Sequence, residues 1–244
     1  MKIAKSAAVP AALAVIFMAG ILAGRLSAPP SAVSSVKRDS PPRGGQSPAA
    51  PSAAPEAALP AALLATIPDV RQSTNYSCGA AALQAVLAHW GISEREDRLM
   101  TRLHTTPEKG TSPDNIVRGA REFGLQAELR EGLGLADLEV GLAAGFTVIV
   151  DLQAWREAVG RPWTELWDDG HYMVLLGMDD RNLYFEDPSL LGSRGYIARQ
   201  EFLDRWHDYE GDEPLDASDR KYVHAAIFIR GQRPADPLPL APVE

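Results

Sequence analysis

Cysteine is nearly absent from this chain. Cys78 is the single one among 244 residues, so no internal disulfide can form and no thiolate zinc site can be assembled. The metal motif His-Glu-x-x-His is missing, and the acidic pairs Asp168–Asp169 and Asp179–Asp180 lack the spacing of a calcium loop. No G-x-x-x-x-G-K-[ST] run occurs, which removes the phosphate-loop route to ATP binding. Excess positive charge is lacking too. The formal charge is −8 at pH 7, and Lys2, Lys5, Arg25, Lys37, Arg38 and Arg43 outnumber carboxylates only in the first 60 residues, so the body is the acidic part. An acidic body has no basic face for nucleic acid. Internal repeats are absent. No metal, cofactor or nucleic acid is therefore expected.

What is present begins with a hydrophobic run. Lys2 and Lys5 precede residues 7–24, which carry no charge. As a helix that run spans roughly 27 Å, close to the thickness of a hydrocarbon core. Residues 1–26 thus read as a signal anchor or signal peptide. The anchor is preferred, because the best cut, after Ala28, puts Leu26 at −3 and Pro29 just beyond. Residues 27–62 hold eight prolines among Ala, Ser and Gly, the composition of an extended, disordered linker. The expected placement is the cell envelope: anchored in a bacterial inner membrane and facing the periplasm or exterior, or secreted if the segment is cut. A body over 63–232 and a proline-rich tail over 233–244 complete the division.

The body changes period midway. Over 77–91, Leu83, Val86, Leu87 and Trp90 recur at helical spacing, and Gly91 stops the run. Ser93 with Glu96 reads as a capping box opening a second helix. Ser112-Pro113 opens a third, ended by Gly124. Residues 125–130 alternate as a strand, and 135–144 form a further helix before Gly145. Strands are then expected over 147–152, 171–178 and 183–186, with a turn at 179–182, a short helix at 200–206 and a last strand at 223–229. Helices first and hairpin-linked strands second make an α+β domain.

Cys78 falls in the first turn of its helix, where unpaired N–H groups carry partial positive charge and stabilise a thiolate. A thiol nucleophile needs a base, usually an imidazole. His89 lies three turns along the same helix, His104 ends a helix, His207 sits in a polar run and His224 inside the last expected strand. His171 opens an apolar strand after Asp168-Asp169-Gly170, a position that projects a ring rigidly into a cleft. The hairpin turning at 179–182 brings Asp187 back toward 171–174, where it can accept the ring's other N–H. Asp168 and Asp169 read as solvated loop charges. Gln72 can offer a side-chain N–H to an oxyanion, with the Cys78 backbone N–H as second donor. The insertion 153–169, with Trp155, Trp163 and Trp167, reads equally as a substrate wall or lid and as a flap packed on the sheet.

The runs IPDVRQSTNYSCGAAALQAVLAHWG, GTSPDNIVRGAREFGL and GHYMVLLGMDDRNLYFEDPS resemble the bacteriocin-processing, double-glycine-leader peptidases and their stand-alone relatives among the papain-like cysteine peptidases. The likeness runs in order across 67–229. It implies a papain-like fold, an N-terminal helical half packed on a C-terminal antiparallel sheet. It also implies roles: Cys78 nucleophile, His171 base, Asp187 orienter, Gln72 oxyanion donor, and a peptide or protein as substrate. The expected activity is an exported or membrane-tethered cysteine peptidase. Its rivals are a peptide-binding module without catalysis and an acyl or amide transferase using the same thioester.

Overall fold

A computed structural model describes residues 67–156, 160–190, 192, 194–211, 214–232 and 234. The hydrophobic run 7–24, the linker 27–62 and all of the tail except residue 234 lie outside the described residues. Among the described residues, no helix is long and apolar enough to cross a membrane.

Three helices come first: α1 (Cys78–His89), α2 (Glu96–Arg102) and α3 (Pro113–Glu122). They are followed by β1 (Gln126–Arg130), α4 (Leu135–Ala143), β2 (Thr147–Gln153), a 3₁₀ turn (Trp163–Glu165), β3 (Gly170–Met178), β4 (Asn182–Glu186) and β5 (Gly195–Ala198). The described chain finishes with α5 (Arg199–Arg205), β6 (His207–Glu210), β7 (Arg220–Val223) and β8 (Ala226–Arg230). Six strands form one antiparallel sheet in the order β1-β8-β2-β3-β4-β5, and β6 and β7 form a separate two-stranded ribbon. The architecture is α+β, as expected.

Side chains alternate across a strand, so one sheet can feed two cores. Ile149, Tyr172, Val174, Leu176, Ile227 and Ile229 face Leu83, Val86 and Leu87 of α1. Val148, Val150, Leu152, Met173, Leu175 and Phe228 face the opposite core with Phe202 and Trp206. Each fully buried aliphatic or aromatic side chain contributes roughly 1.5–3 kcal/mol. The site's scaffold is therefore packed on both faces of the sheet. α1 is small-residue-rich because it packs closely: a Cβ on Gly79 would stand 2.9 Å from Thr111 Cβ and 3.1 Å from the Tyr172 ring.

Some local expectations need correction. Ser112 caps α3 as expected, accepting from the Asn115 N–H at 3.3 Å, but Ser93 does not cap α2. That helix starts at Glu96 after Arg95, and the Glu96 carboxylate instead accepts the Ser73 N–H at 2.9 and 3.1 Å. A tertiary bond to the loop ahead of α1 replaces the local box. The last strand is shorter than expected, because His224 takes φ 51° and separates β7 from β8. The strands β5, β6 and β7 are too short and too exposed to show a period.

Candidate active site

Cys78 is the first residue of α1 and is 8% exposed. Its own N–H belongs to the first turn, which has no intrahelical acceptor. Ser77, fully buried, folds the approach: its Oγ accepts the Thr74 N–H at 3.1 Å and donates to the Thr74 carbonyl at 3.3 Å. β3 delivers His171, 1% exposed, one residue into the strand. The β3–β4 register pairs Val174 with Glu186, so Asp187 returns beside the start of β3. His171 Nε2 lies 2.7 Å from Asp187 Oδ1. Cys78 is close enough to the same ring to help raise its pKa, and with Nε2 committed to Asp187 the ring nitrogen left over is Nδ1.

Charge is balanced tightly here. Burial opposes a charged His171, but the bonds to Asp187 and Cys78 and their charges outweigh it, raising the imidazolium to about 9. Burial would likewise raise Asp187. The bond and charge of His171 and two bonds from Ser189 reverse this and hold the carboxyl below its ordinary range. Those Ser189 bonds run from its N–H at 2.8 Å and its hydroxyl at 2.7 Å. Imidazolium and carboxylate therefore coexist at neutral pH.

Gln72 reaches the site through its backbone, its N–H donating to the Pro188 carbonyl at 3.0 Å. Its side-chain Nε2 donates to the Thr74 carbonyl at 2.7 Å, while its Oε1 is buried without a hydrogen-bond partner. The loop before α1 is held at its other end by β4. Fully buried Glu186 accepts the Val70 N–H at 2.8 Å and pairs with Arg194, whose second nitrogen donates to the Ile67 carbonyl at 2.6 Å.

The thiol opens on a cleft of about 310 Å³ lined by residues from the 75–76 loop, the 108–113 loop, the 167–170 segment and β6. Its floor holds features that the sequence reading missed. Asp151, on β2, is 7% exposed and points to the helix-facing side with its register partner Tyr172. Asp208, on β6, lines the same cleft, and its charge bears on Asp151. Burial first, then the charges of Asp208 and Cys78, push Asp151 well above its ordinary range, and burial raises Asp208 to about 6. Gln153 Nε2 donates to Asp208 Oδ1 at 3.1 Å, and Tyr172 donates its hydroxyl to the Thr111 carbonyl at 2.9 Å. A signal for Asp151 existed: a carboxylate inside the apolar run TVIVDL needs a partner. Nothing local marks Asp208 as that partner.

Of the tryptophans in 153–169, Trp155 tilts over His171 with centroids 4.9 Å apart, and both Trp155 and Trp167 line the cleft. Trp163 packs between the guanidinium groups of Arg156 and Arg205, each 4.2 Å from its ring centre. The insertion is partly a wall and partly a flap. Asp168 and Asp169, read as solvated loop charges, also line the cleft. His207 is not a polar-loop histidine. It is buried in β6, its Nε2 2.7 Å from the Leu166 carbonyl and its ring 4.3 Å from that of Trp167. Among the described residues, no group of three or more His, Cys, Asp or Glu side chains could hold a metal ion.

A family model described as Peptidase C39-like matches residues 64–213. An uncharacterized protein of Methanothermobacter marburgensis is 34% identical over 121 residues, 50% of this chain and 71% of that one. Among solved structures, the peptidase domain of Streptococcus ComA, a bi-functional ABC transporter of a quorum-sensing pathway, superposes with a TM-score of 0.50. It is 20% identical, covering 67% of this chain and 97% of that domain. A C39-like peptidase from Bacillus anthracis gives a TM-score of 0.50 at 15% identity, over 70% of this chain and 98% of the other. At such identities these two speak for the fold.

Proposed function

The chain belongs to the Peptidase C39-like family, and from that premise we propose that it is a cysteine peptidase, exported or tethered to a membrane by residues 7–24, with Cys78 as nucleophile. The observation that carries the reading is the 2.7 Å bond from His171 Nε2 to Asp187, on a ring whose pKa the neighbouring Cys78 helps to raise. Such a set is what thiol nucleophiles require: a base in hydrogen-bond reach and a third group orienting the base.

In this reading the Cys78 thiolate attacks the scissile carbonyl carbon, and the carbonyl electrons move to oxygen. The oxyanion is met by the Cys78 backbone N–H and by Gln72, one of whose amide hydrogens is spent on Thr74 while the other is left to donate. The C–N bond then breaks as the His171 imidazolium gives its Nδ1 proton to the leaving amine. The neutral ring next deprotonates a water that attacks the thioester, releasing a carboxylic acid and restoring thiolate and imidazolium. Asp187 fixes the ring throughout. The tether follows from sequence alone, from the uncharged run 7–24 and the proline-rich stretch behind it.

The test is to incubate the full chain with a peptide pool in ¹⁸O-water and analyse the products by mass spectrometry. Hydrolysis places one ¹⁸O on each new carboxyl group, and Cys78→Ala abolishes it. Acyl transfer to an added amine without ¹⁸O uptake would assign a transferase. Peptide binding that survives Cys78→Ala, with no cleavage by the wild type, would assign a binding module.

A further inference from the structure

We propose that the carboxyl pair Asp151–Asp208 is the cation-binding floor of the substrate cleft, selecting substrates with an ammonium or guanidinium group close to the bond that is cut. The inference rests on Cys78 being the reactive thiol of that cleft, and it adds the chemical class that the cleft accepts.

Three observations point to a ligand rather than to a chance cluster. Asp151 lines the cleft, is more than nine-tenths buried, and leaves its Oδ1 without a hydrogen-bond partner. A buried acceptor left unmet costs about 1–3 kcal/mol, and an incoming N–H donor would recover that cost. Second, the fold makes room for the other carboxyl: a Cβ at Gly170 would collide with Asp208. The residue ahead of His171 is thus the one type that lets Asp208 approach the strand. Third, the surroundings share one sign. Glu108, Asp168, Asp169 and Glu210 line the same cleft, and the single basic residue among its lining is Lys109. Trp155, Trp167, Tyr76 and Tyr172 supply aromatic surface beside them, which suits a cation as well.

A bound cation meets the floor carboxyls and seats the scissile bond beside Cys78. An apolar or anionic residue at the same place leaves a buried charge unpaired, and that penalty is the source of discrimination.

The single cysteine makes the test clean. On the full chain, modification of Cys78 is followed with matched methanethiosulfonates carrying an ammonium, no charge or a sulfonate, each rate divided by that of a free cysteine peptide. The expected ratio of ammonium to neutral reagent is about tenfold or more, with the sulfonate slowest. Asp208→Asn and Asp151→Asn should each bring the ratio below about threefold. Thermal melts identify which variants fold, and Asp208→Asn alone decides the matter if Asp151→Asn does not. Equal normalised rates for all three reagents would overturn the cation site while leaving a reactive Cys78. A Cys78 inert to all three would overturn the peptidase reading and this inference with it. Protection of Cys78 from the neutral reagent by acetyl-lysine methylamide, but not by acetyl-norleucine methylamide, assigns the cation to a side chain. Protection by norleucine methylamide with its free terminus assigns it to a chain end, and no protection by either cation counts against the site.

Discussion

The carboxylate of Glu186, fully buried at the end of β4, is bonded to the guanidinium of Arg194 while its other oxygen accepts the Val70 N–H. One buried ion pair thus fastens the segment that leads into Gln72 and Cys78 to the strand that leads into Asp187. Burial alone raises the Glu186 carboxyl, and Arg194 and the Val70 N–H oppose that rise.

Removing one partner of such a pair strands a charge. Arg194→Ala should cost about 3 kcal/mol of unfolding free energy in urea and should lower peptidase activity by loosening the Gln72 loop. The double variant Arg194→Ala/Glu186→Gln should recover part of the loss. A single variant as stable as wild type would show that the clamp does not hold the loop.

Asp187 should matter for turnover more than for binding. Asp187→Ala is expected to lower kcat about 10²–10³-fold with little change in KM, because the ring loses its orienting acceptor. Asp187→Asn keeps an acceptor oxygen and should lose less. Its alkaline limit should shift down, since a neutral amide no longer supports the imidazolium. Steady-state kinetics across pH separates the two effects.

Stability should carry the signature of His171. Its folded pKa, about 9, lies above the ordinary 6.5, so the stabilisation is fully present below pH 6.5 and is lost as pH rises through 9. The change is on the order of 3 kcal/mol. Unfolding free energies from pH 6 to 10 should fall for wild type and stay flatter for His171→Ala. Parallel curves would remove the ring from the account.

Asp208 should show the opposite trade. Its carboxyl is raised from 3.8 to about 6, so its contribution is favourable below 3.8 and disappears as pH rises through 6. Asp208→Asn is therefore expected to melt higher than wild type at pH 8, by about 1–2 kcal/mol after discounting for partial exposure. The gain should vanish at pH 4. Site residues that oppose folding in this way are common where function needs a buried charge.

The helices are legible because α3 carries a strong period and α1 is an Ala-rich apolar run with a clear stop at Gly91, and β2, β3 and β4 are legible as apolar runs joined by turn residues. The hairpin turning at 179–182 places residue 187 near 171 because a two-strand register leaves little freedom. The capping box at Ser93 failed because Glu96 found a stronger tertiary acceptor role with Ser73. The Asp151–Asp208 pair was out of reach because its members are brought together by the ribbon β6–β7 packing on the sheet, and those strands are too short to show a period. Glu186 and Arg194 escaped because their backbone partners, Val70 for Glu186 and Ile67 for Arg194, lie more than 100 residues upstream.

The central claim is that His171 and the α1 terminus hold the Cys78 sulfur ready for attack. Its most direct measurement is the rate of iodoacetamide alkylation of the single cysteine from pH 5 to 10, in wild type and in His171→Ala. The expected result is a variant at least about tenfold slower than wild type at pH 6. Two superimposable profiles, both climbing with pH as a free cysteine's does near 8.5, would contradict it.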